Sequence, residues 1–293
     1  MSSRGDYLEL VRAPAVLTVL GDSVAGAAAA GRTMAGRRAL MPLASACLYA
    51  GGMALNDYAD RQLDAVERPE RPIPSGRITA RNALTAAAVL TAAGLGVCAA
   101  AGGRRAVAVG VPLAASIWAY DLAAKNHAVP GALAMGTCRA LDVLMGAGAD
   151  RVRPAIGSAV IMGGHTVAVT LLSRGEVNGT DTATASGVAV TTGVIAASVA
   201  AGSAGPPARA LAVLGAAAAY ALRCGPAQIR AARNPAAGNA LNATKAGIRA
   251  MVPLQAALAV RHGHPLAAGA LLVVDLMGRI IRSRPTGRSV SES

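Results

Sequence analysis

Apolar runs of similar length, separated by short polar stretches, recur along this chain from end to end. They fall near 14–31, 38–56, 81–101, 104–120, 130–149, 155–173, 184–202, 207–223, 241–260 and 265–281. Each approaches the roughly 20 residues that a helix rising about 1.5 Å per residue needs to cross a hydrocarbon core about 30 Å thick. The pattern predicts an all-α fold, a polytopic transmembrane helical bundle with a lipid bilayer as its solvent. Several runs are built from small residues, such as GDSVAGAAAAG and TAAGLGVCAAAGG. Small side chains let helix backbones approach closely in lipid, whereas a soluble helix so poor in leucine would bury too little surface to be stable.

Composition supports the membrane reading. Of 293 residues 54% are hydrophobic and only 15% charged, against about 25% charged in an ordinary soluble domain. A net charge of +13 raises the question of nucleic acid, but the cations sit in the gaps between apolar runs and not along one face, as expected of membrane-protein loops. With no Phe, one Trp and five Tyr, base-stacking platforms are also lacking, and no nucleic acid partner is expected. Cys47, Cys98, Cys138 and Cys224 each stand alone within an apolar run and read as small core hydrophobes. The polar, acid-bearing start MSSRGDYLEL does not resemble a cleavable signal peptide. The whole of 1–293 therefore reads as one integral-membrane domain, with a cytoplasmic segment at 1–13 and a disordered tail at 283–293.

One stretch breaks the apolar monotony: NDYADRQLDAVERPERPIPSG, residues 56–76. Asn56, Asp60 and Asp64 are spaced i, i+4, i+8, which places them in a column on one helical face if the second run continues past the membrane surface. Carboxylates so stacked repel one another unless a cation or a base lies between them. An oxygen-only set suits Mg²⁺, which commonly links one or two carboxylates to substrate phosphates. Arg68 and Arg71 follow and can grip phosphate oxygens, and the prolines of ERPERPIP impose a rigid turn over the site. A merely solvated basic loop has no reason to space carboxylates at helical period beside a hydrophobic helix end.

This stretch resembles the first aspartate-rich motif of the UbiA superfamily of intramembrane prenyltransferases, with the form N-x-x-x-D-x-x-x-D followed by R-P and S/G. The resemblance implies a bundle with a usual core of nine spans, so nine to ten here. It implies Mg²⁺-dependent transfer of a polyprenyl group from its diphosphate to an aromatic or other lipophilic acceptor. On that reading Asn56, Asp60 and Asp64 are metal and diphosphate ligands and Asp57 a nearby helper. WAYDLAAKNHAVPGALAMGTCRALDVLMG looks like the family's region in which a Tyr and a Lys precede a glycine-rich helix, so Tyr120 and Lys125 would meet the diphosphate. Arg139 within that helix is a further diphosphate candidate. A membrane-embedded arginine must be paired or face an aqueous cavity, and Asp142, one turn on, is its expected ion-pair partner. Asp22 in the first run has no local partner and reads as cavity-facing. His165 reads as a hydrogen-bonded core residue, and the HGH at 262–264 is given no role.

The second acidic motif of the family, usually D-x-x-x-D, is replaced here by LLSRGEVNGTDTATA at 171–185. Glu176 and Asp181 are its only acids, five apart, and both are candidate metal ligands and catalytic residues beside Asp60, Asp64 and Lys125. Arg174 is expected to orient diphosphate or to pair with Glu176. The RGEV variant resembles the EboC-like branch of the superfamily. A degenerate member serving as transporter or scaffold is the alternative, though neither interrupted helices nor repeat symmetry supports it. Arginines in the even-numbered connections, among them Arg61, Arg68, Arg71 and Arg77, place those loops and the site's mouth in the cytoplasm by the positive-inside rule. The expected location is the bacterial cytoplasmic membrane.

Overall fold

A computed structural model describes residues 3–202 and 205–283 of the chain. Among them every regular element is helical: α1 Arg4–Leu10, α2 Leu20–Ala29, α3 Met41–Ala59, α4 Arg61–Glu67, α5 Ala80–Leu122, α6 Ala128–Ala147, α7 Val152–Ser173, α8 Thr182–Ala200, α9 Pro207–Arg233, α10 Ala237–Arg261 and α11 Pro265–Ser283. Short 3₁₀ turns join several of them, and one at Ala13–Thr18 leads into α2. The tail expected at 283–293 lies outside the described residues, except for Ser283.

Among the described residues seven helical stretches are long and apolar enough to cross a membrane, and the chain is an integral multi-pass membrane protein. One of them, α5, is too long for one crossing, since 43 residues would run about 65 Å at 1.5 Å per residue. It is broken at Gly103, whose φ of 64° and ψ of −159° are non-helical and cost a residue without Cβ little. The arms 80–102 and 104–122 fold back on one another: Trp118 Nε1 donates to Thr91 Oγ1 at 3.2 Å, and Cys98 and Gly110 face each other. The two runs expected at 81–101 and 104–120 are thus one helical hairpin. In α10, residues 250–259 are all buried, so this helix sits inside the bundle, where it can carry Gln255 and Thr244 without exposing them to lipid.

Contacts between loops sort the connections to two ends. At one end Arg77, after α4, bonds Asp6 and Glu9 of α1, Lys125, after α5, bonds Asp60, and Thr180, before α8, donates to the Pro235 carbonyl before α10. At the other end Arg32 and Arg105 share Asp150, and Arg209 donates to the Arg261 carbonyl. This sorting is what alternating crossings require.

Candidate functional site

The acidic column begins where α3 ends. Asp60 caps α3 with φ −86° and ψ 2°, a slight bend that leaves the backbone ladder running: Asp60 N–H donates to Asn56 O at 2.9 Å, Asp64 N–H to Asp60 O at 2.8 Å, and Arg68 N–H to Asp64 O at 2.8 Å. Asn56, Asp60, Asp64 and Arg68 consequently follow one another at successive turns. Their side chains serve different partners. Asn56 Nδ2 donates to Asp121 Oδ1 at 3.1 Å, and Lys125 Nζ lies 2.7 Å from Asp60 Oδ1. Asp64 is buried against Arg71 at 2.7 Å. Arg71 also reaches Asp57 at 3.5 Å, and Arg12 approaches the same carboxylate at 3.5 Å.

Beside this network a cavity of about 340 Å³ enters the bundle, with Arg12, Arg68, Tyr120, Asp121, Ser173 and Glu176 around its outer part. Its walls further in are apolar, from Leu48, Met53, Leu113, Ile117, Met135 and Val169. Burial pushes the Glu176 carboxyl above its ordinary value, while Lys245 and Arg68 act in the opposite sense. Arg12 is held in the left-handed region at φ 47° and ψ 52°, a conformation that costs a non-glycine residue on the order of 1 kcal/mol and is met disproportionately at functional sites.

Most expected site residues meet here, and some do not. Asn56, Asp60, Arg68, Tyr120, Lys125 and Glu176 gather at the mouth, and Arg71 and Asp64 form the buried pair behind it. Asp181 does not join them. It caps α8, accepting from Thr184 N–H at 2.8 Å and Thr184 Oγ1 at 2.6 Å, bonds that hold its carboxyl below the ordinary value. With Arg174 it lines a separate groove beside Ala128, Thr184 and Gly187. The turn at 174–181 sends Glu176 to one side and Arg174 and Asp181 to the other, which corrects the expectation of a shared ligand set.

Arg139 is a second correction. It lies 11 residues into α6, roughly 16 Å along that helix from its first residue at 1.5 Å per residue. Its partner is not Asp142 but Asp22, at 2.8 Å, while Asp142 accepts from Ser45 Oγ at 2.6 Å. Two residues were missed from sequence, Asp121 and Arg12. The spacing of Asp121 four residues before Lys125 on a helix end was a usable signal, but nothing local marked Arg12. His165, as expected, is a core residue, bonded to Tyr220 Oη at 2.9 Å and to the Gly247 carbonyl at 3.0 Å.

Among the described residues no three Asp, Glu, His or Cys side chains converge closely enough to hold a metal by themselves. The mouth still fits Mg²⁺ chemically, because this ion takes one or two carboxylates and completes its shell with water and substrate phosphate. Asp60 and Asp121 are oxygen donors on either side of Asn56 and would serve.

A multi-pass helical membrane protein with a carboxylate- and cation-lined mouth over an apolar cavity is the class that fold and site define. The chain belongs to the UbiA prenyltransferase family, whose model matches residues 15–175. It is 41% identical over 143 residues to a digeranylgeranylglyceryl phosphate synthase of Ignicoccus hospitalis, covering 48% of this chain and 46% of that one. It is 46% identical over 95 residues to the synthase of the same name from Methanopyrus kandleri, covering 31% and 33%. The chain thus spans about half or less of the length of the curated relatives it matches. In fold it is similar to a UbiA homolog from Archaeoglobus fulgidus bound to GPP and Mg²⁺, with TM-score 0.67 and 13% identity over 93% of this chain and 99% of that one. A UbiA homolog from Aeropyrum pernix superposes with TM-score 0.61 at 19% identity over 89% and 98%.

Proposed function

We propose that residues 1–293 act as one Mg²⁺-dependent prenyltransferase, moving a prenyl group from its diphosphate to a lipophilic acceptor. The observation that carries this reading is the joining of Asn56, Asp60, Asp121 and Lys125 to the outer end of an apolar cavity: a charged grip beside a greasy wall is what an isoprenoid diphosphate needs. Asp60 and Asp121, with Glu176 opposite, would hold Mg²⁺; Asp181 is left out of this set. When bound, the ion neutralises diphosphate charge and improves the leaving group. Arg68, Lys125 and Arg12 add fixed positive charge where negative charge grows as the allylic C–O bond lengthens. Lys125, paired with Asp60 at 2.7 Å, would face the diphosphate with its ammonium if that carboxylate held the ion. Tyr120 offers a ring face to the developing allylic cation. The acceptor forms the new bond at the allylic carbon, loses its proton, and diphosphate departs.

The archaeal relatives' shared name supports an acceptor of the glyceryl phosphate type over an aromatic one; the EboC-like placing rests on RGEV alone, and the bacterial source has no support from these relatives. The arginine-rich connections support a cytoplasmic mouth. Incubation of purified protein with Mg²⁺, a series of prenyl diphosphates, and glyceryl phosphate and aromatic acceptors should yield a prenylated product by mass, with diphosphate release. No release with any donor would leave the transporter or scaffold reading.

A further inference from the structure

The end of the bundle opposite the mouth carries charge of a different kind. In the stretch 56–76 at the mouth, five acids accompany three arginines. At the far end GRTMAGRRAL at 31–40, GGRR at 102–105 and GADRVR at 148–153 hold seven arginines against one acid, Asp150. Arg32 and Arg105, from two of these turns, converge on that carboxylate from the third, which ties the three into one surface. Arg38 stands with Arg32 and Arg105 around Gly148, and Arg32 Nε is buried with no hydrogen-bond partner among the described residues. Guanidinium groups gathered over so few carboxylates repel one another and call for an anion among them. With the mouth in the cytoplasm, as proposed above, topology gives no reason for such a surplus at this end.

The surface beside these arginines says which anion. Arg104, next in the chain to Arg105, stands at the lip of an apolar groove of about 720 Å³ lined by Ala99, Val107, Ala108, Val111 and Pro112 of the two α5 arms. Gly103, where α5 breaks, forms the top of the groove, and nothing lies within 4 Å of where its Cβ would stand, so the top is open to an incoming chain. Val111 is half exposed, which puts this side of the hairpin against the bilayer. A soluble anion would use the arginines alone, and a neutral lipid would use the groove alone. Phosphate-binding groups above a hydrocarbon-lined groove match a molecule with an acidic headgroup and an acyl chain.

We propose that this face binds one anionic phospholipid from the leaflet opposite the mouth, with its phosphate held by Arg104 and Arg105 and an acyl chain lying in the α5 groove. Arginine forks suit phosphate oxygens, and basic pockets between transmembrane helices hold acidic headgroups. The bound lipid would offset the charge on all three turns and so bind the α2–α3, α5 and α6–α7 connections together. Its effect falls on stability, remote from the chemistry, and the site stands whether or not the prenyltransferase reading does.

The test is native mass spectrometry of the full chain in detergent, titrated with phosphatidylglycerol and with phosphatidylcholine of identical acyl chains. Wild type should retain one phosphatidylglycerol about tenfold or more tightly than phosphatidylcholine, and its thermal midpoint should rise with that lipid. The double variant Arg104→Gln with Arg105→Gln changes two exposed side chains and should lose the preference; Arg104→Gln alone decides the matter if the double variant fails to fold. Ala108→Trp fills the groove, keeps every arginine and should weaken phosphatidylglycerol binding. Arg230→Gln with Arg233→Gln, at the mouth end, should leave the bound lipid in place. Equal retention of the two lipids by wild type overturns the proposal, and so does a preference that either the arginine variants or Ala108→Trp leave intact. Inorganic phosphate that raises the midpoint as far as phosphatidylglycerol would make the ligand a free anion, and a dimer lost in the arginine variant would give the face to a second copy of the chain; each overturns the lipid.

Discussion

Two charged clusters border one cavity, each touching it through one or two members, and behave as opposites. At the mouth, Asp57, Asp60, Asp64 and Asp121 face Arg12, Arg71 and Lys125 on helix ends and turns, with Asp60 and Lys125 partly open to solvent. Deeper in the bundle, Asp22 in the first turn of α2, Arg139 in α6 and Gln255 in α10 are buried. The Asp60–Lys125 pair can exchange partners, because water reaches it and makes a broken pair tolerable, whereas Asp64–Arg71 behind it is buried. The deeper Asp22–Arg139 pair cannot exchange, because removing one partner strands a charge in a low-dielectric interior. Chemistry is thus expected at the mouth and rigidity at the deeper cluster.

The largest effect that would sharpen this contrast is on stability. Arg139→Ala should cost roughly 3–5 kcal/mol by leaving Asp22 buried without its partner, read as a large fall in thermal midpoint in detergent; a midpoint like wild type would show the Asp22 site to be hydrated. Next, Asp60→Ala should lower turnover by about 10²–10³-fold, on the order of removing one preorganised electrostatic contact, with an unchanged midpoint. Asp64→Ala should lose activity and some stability together, since it removes the nearer of the two carboxylates that hold the buried Arg71. Equal midpoints for the two variants would dissolve that distinction.

Smaller effects separate the two sides of the 174–181 turn. Glu176→Gln should raise the Mg²⁺ needed for half-maximal turnover by about tenfold, equivalent to about 1.4 kcal/mol, and extra Mg²⁺ should rescue it. Asp181→Ala should leave that requirement unchanged and cost about 1 kcal/mol through loss of the α8 cap; the reverse pattern would return Asp181 to the metal site. The acid limb follows from Glu176 as well. Burial raises its pKa in the folded chain, so its charge is lost on acidification at a higher pH than for an ordinary glutamate. Wild-type activity should therefore begin to fall above the usual carboxylate range, and Glu176→Gln should flatten that limb; an identical profile in the variant would remove Glu176 from the reaction.

Much of this was legible along the chain. The apolar period and length gave the bundle, and the i, i+4, i+8 spacing gave the ladder through Asn56, Asp60 and Asp64, because both are local consequences of helical geometry. Asp121 was within reach for the same reason, standing one turn before Lys125. Arg139 was assigned the neighbour one turn away, Asp142, by that same local logic, and there the logic failed: Asp142 found Ser45 on α3, and Arg139 found Asp22 on α2.

The sequence by itself determined that this chain lives in a membrane, how its helices are spaced, and where its carboxylates and cations concentrate, since burial in lipid and helical periodicity act through neighbours a few residues apart. Tertiary structure alone decided which charges pair, that Glu176 turns into the cavity while Asp181 caps α8, and how deep the cavity runs. Those outcomes depend on residues such as Asp22 and Arg139, which meet only when distant helices pack, and no spacing along the chain records which of several helices a buried charge will face.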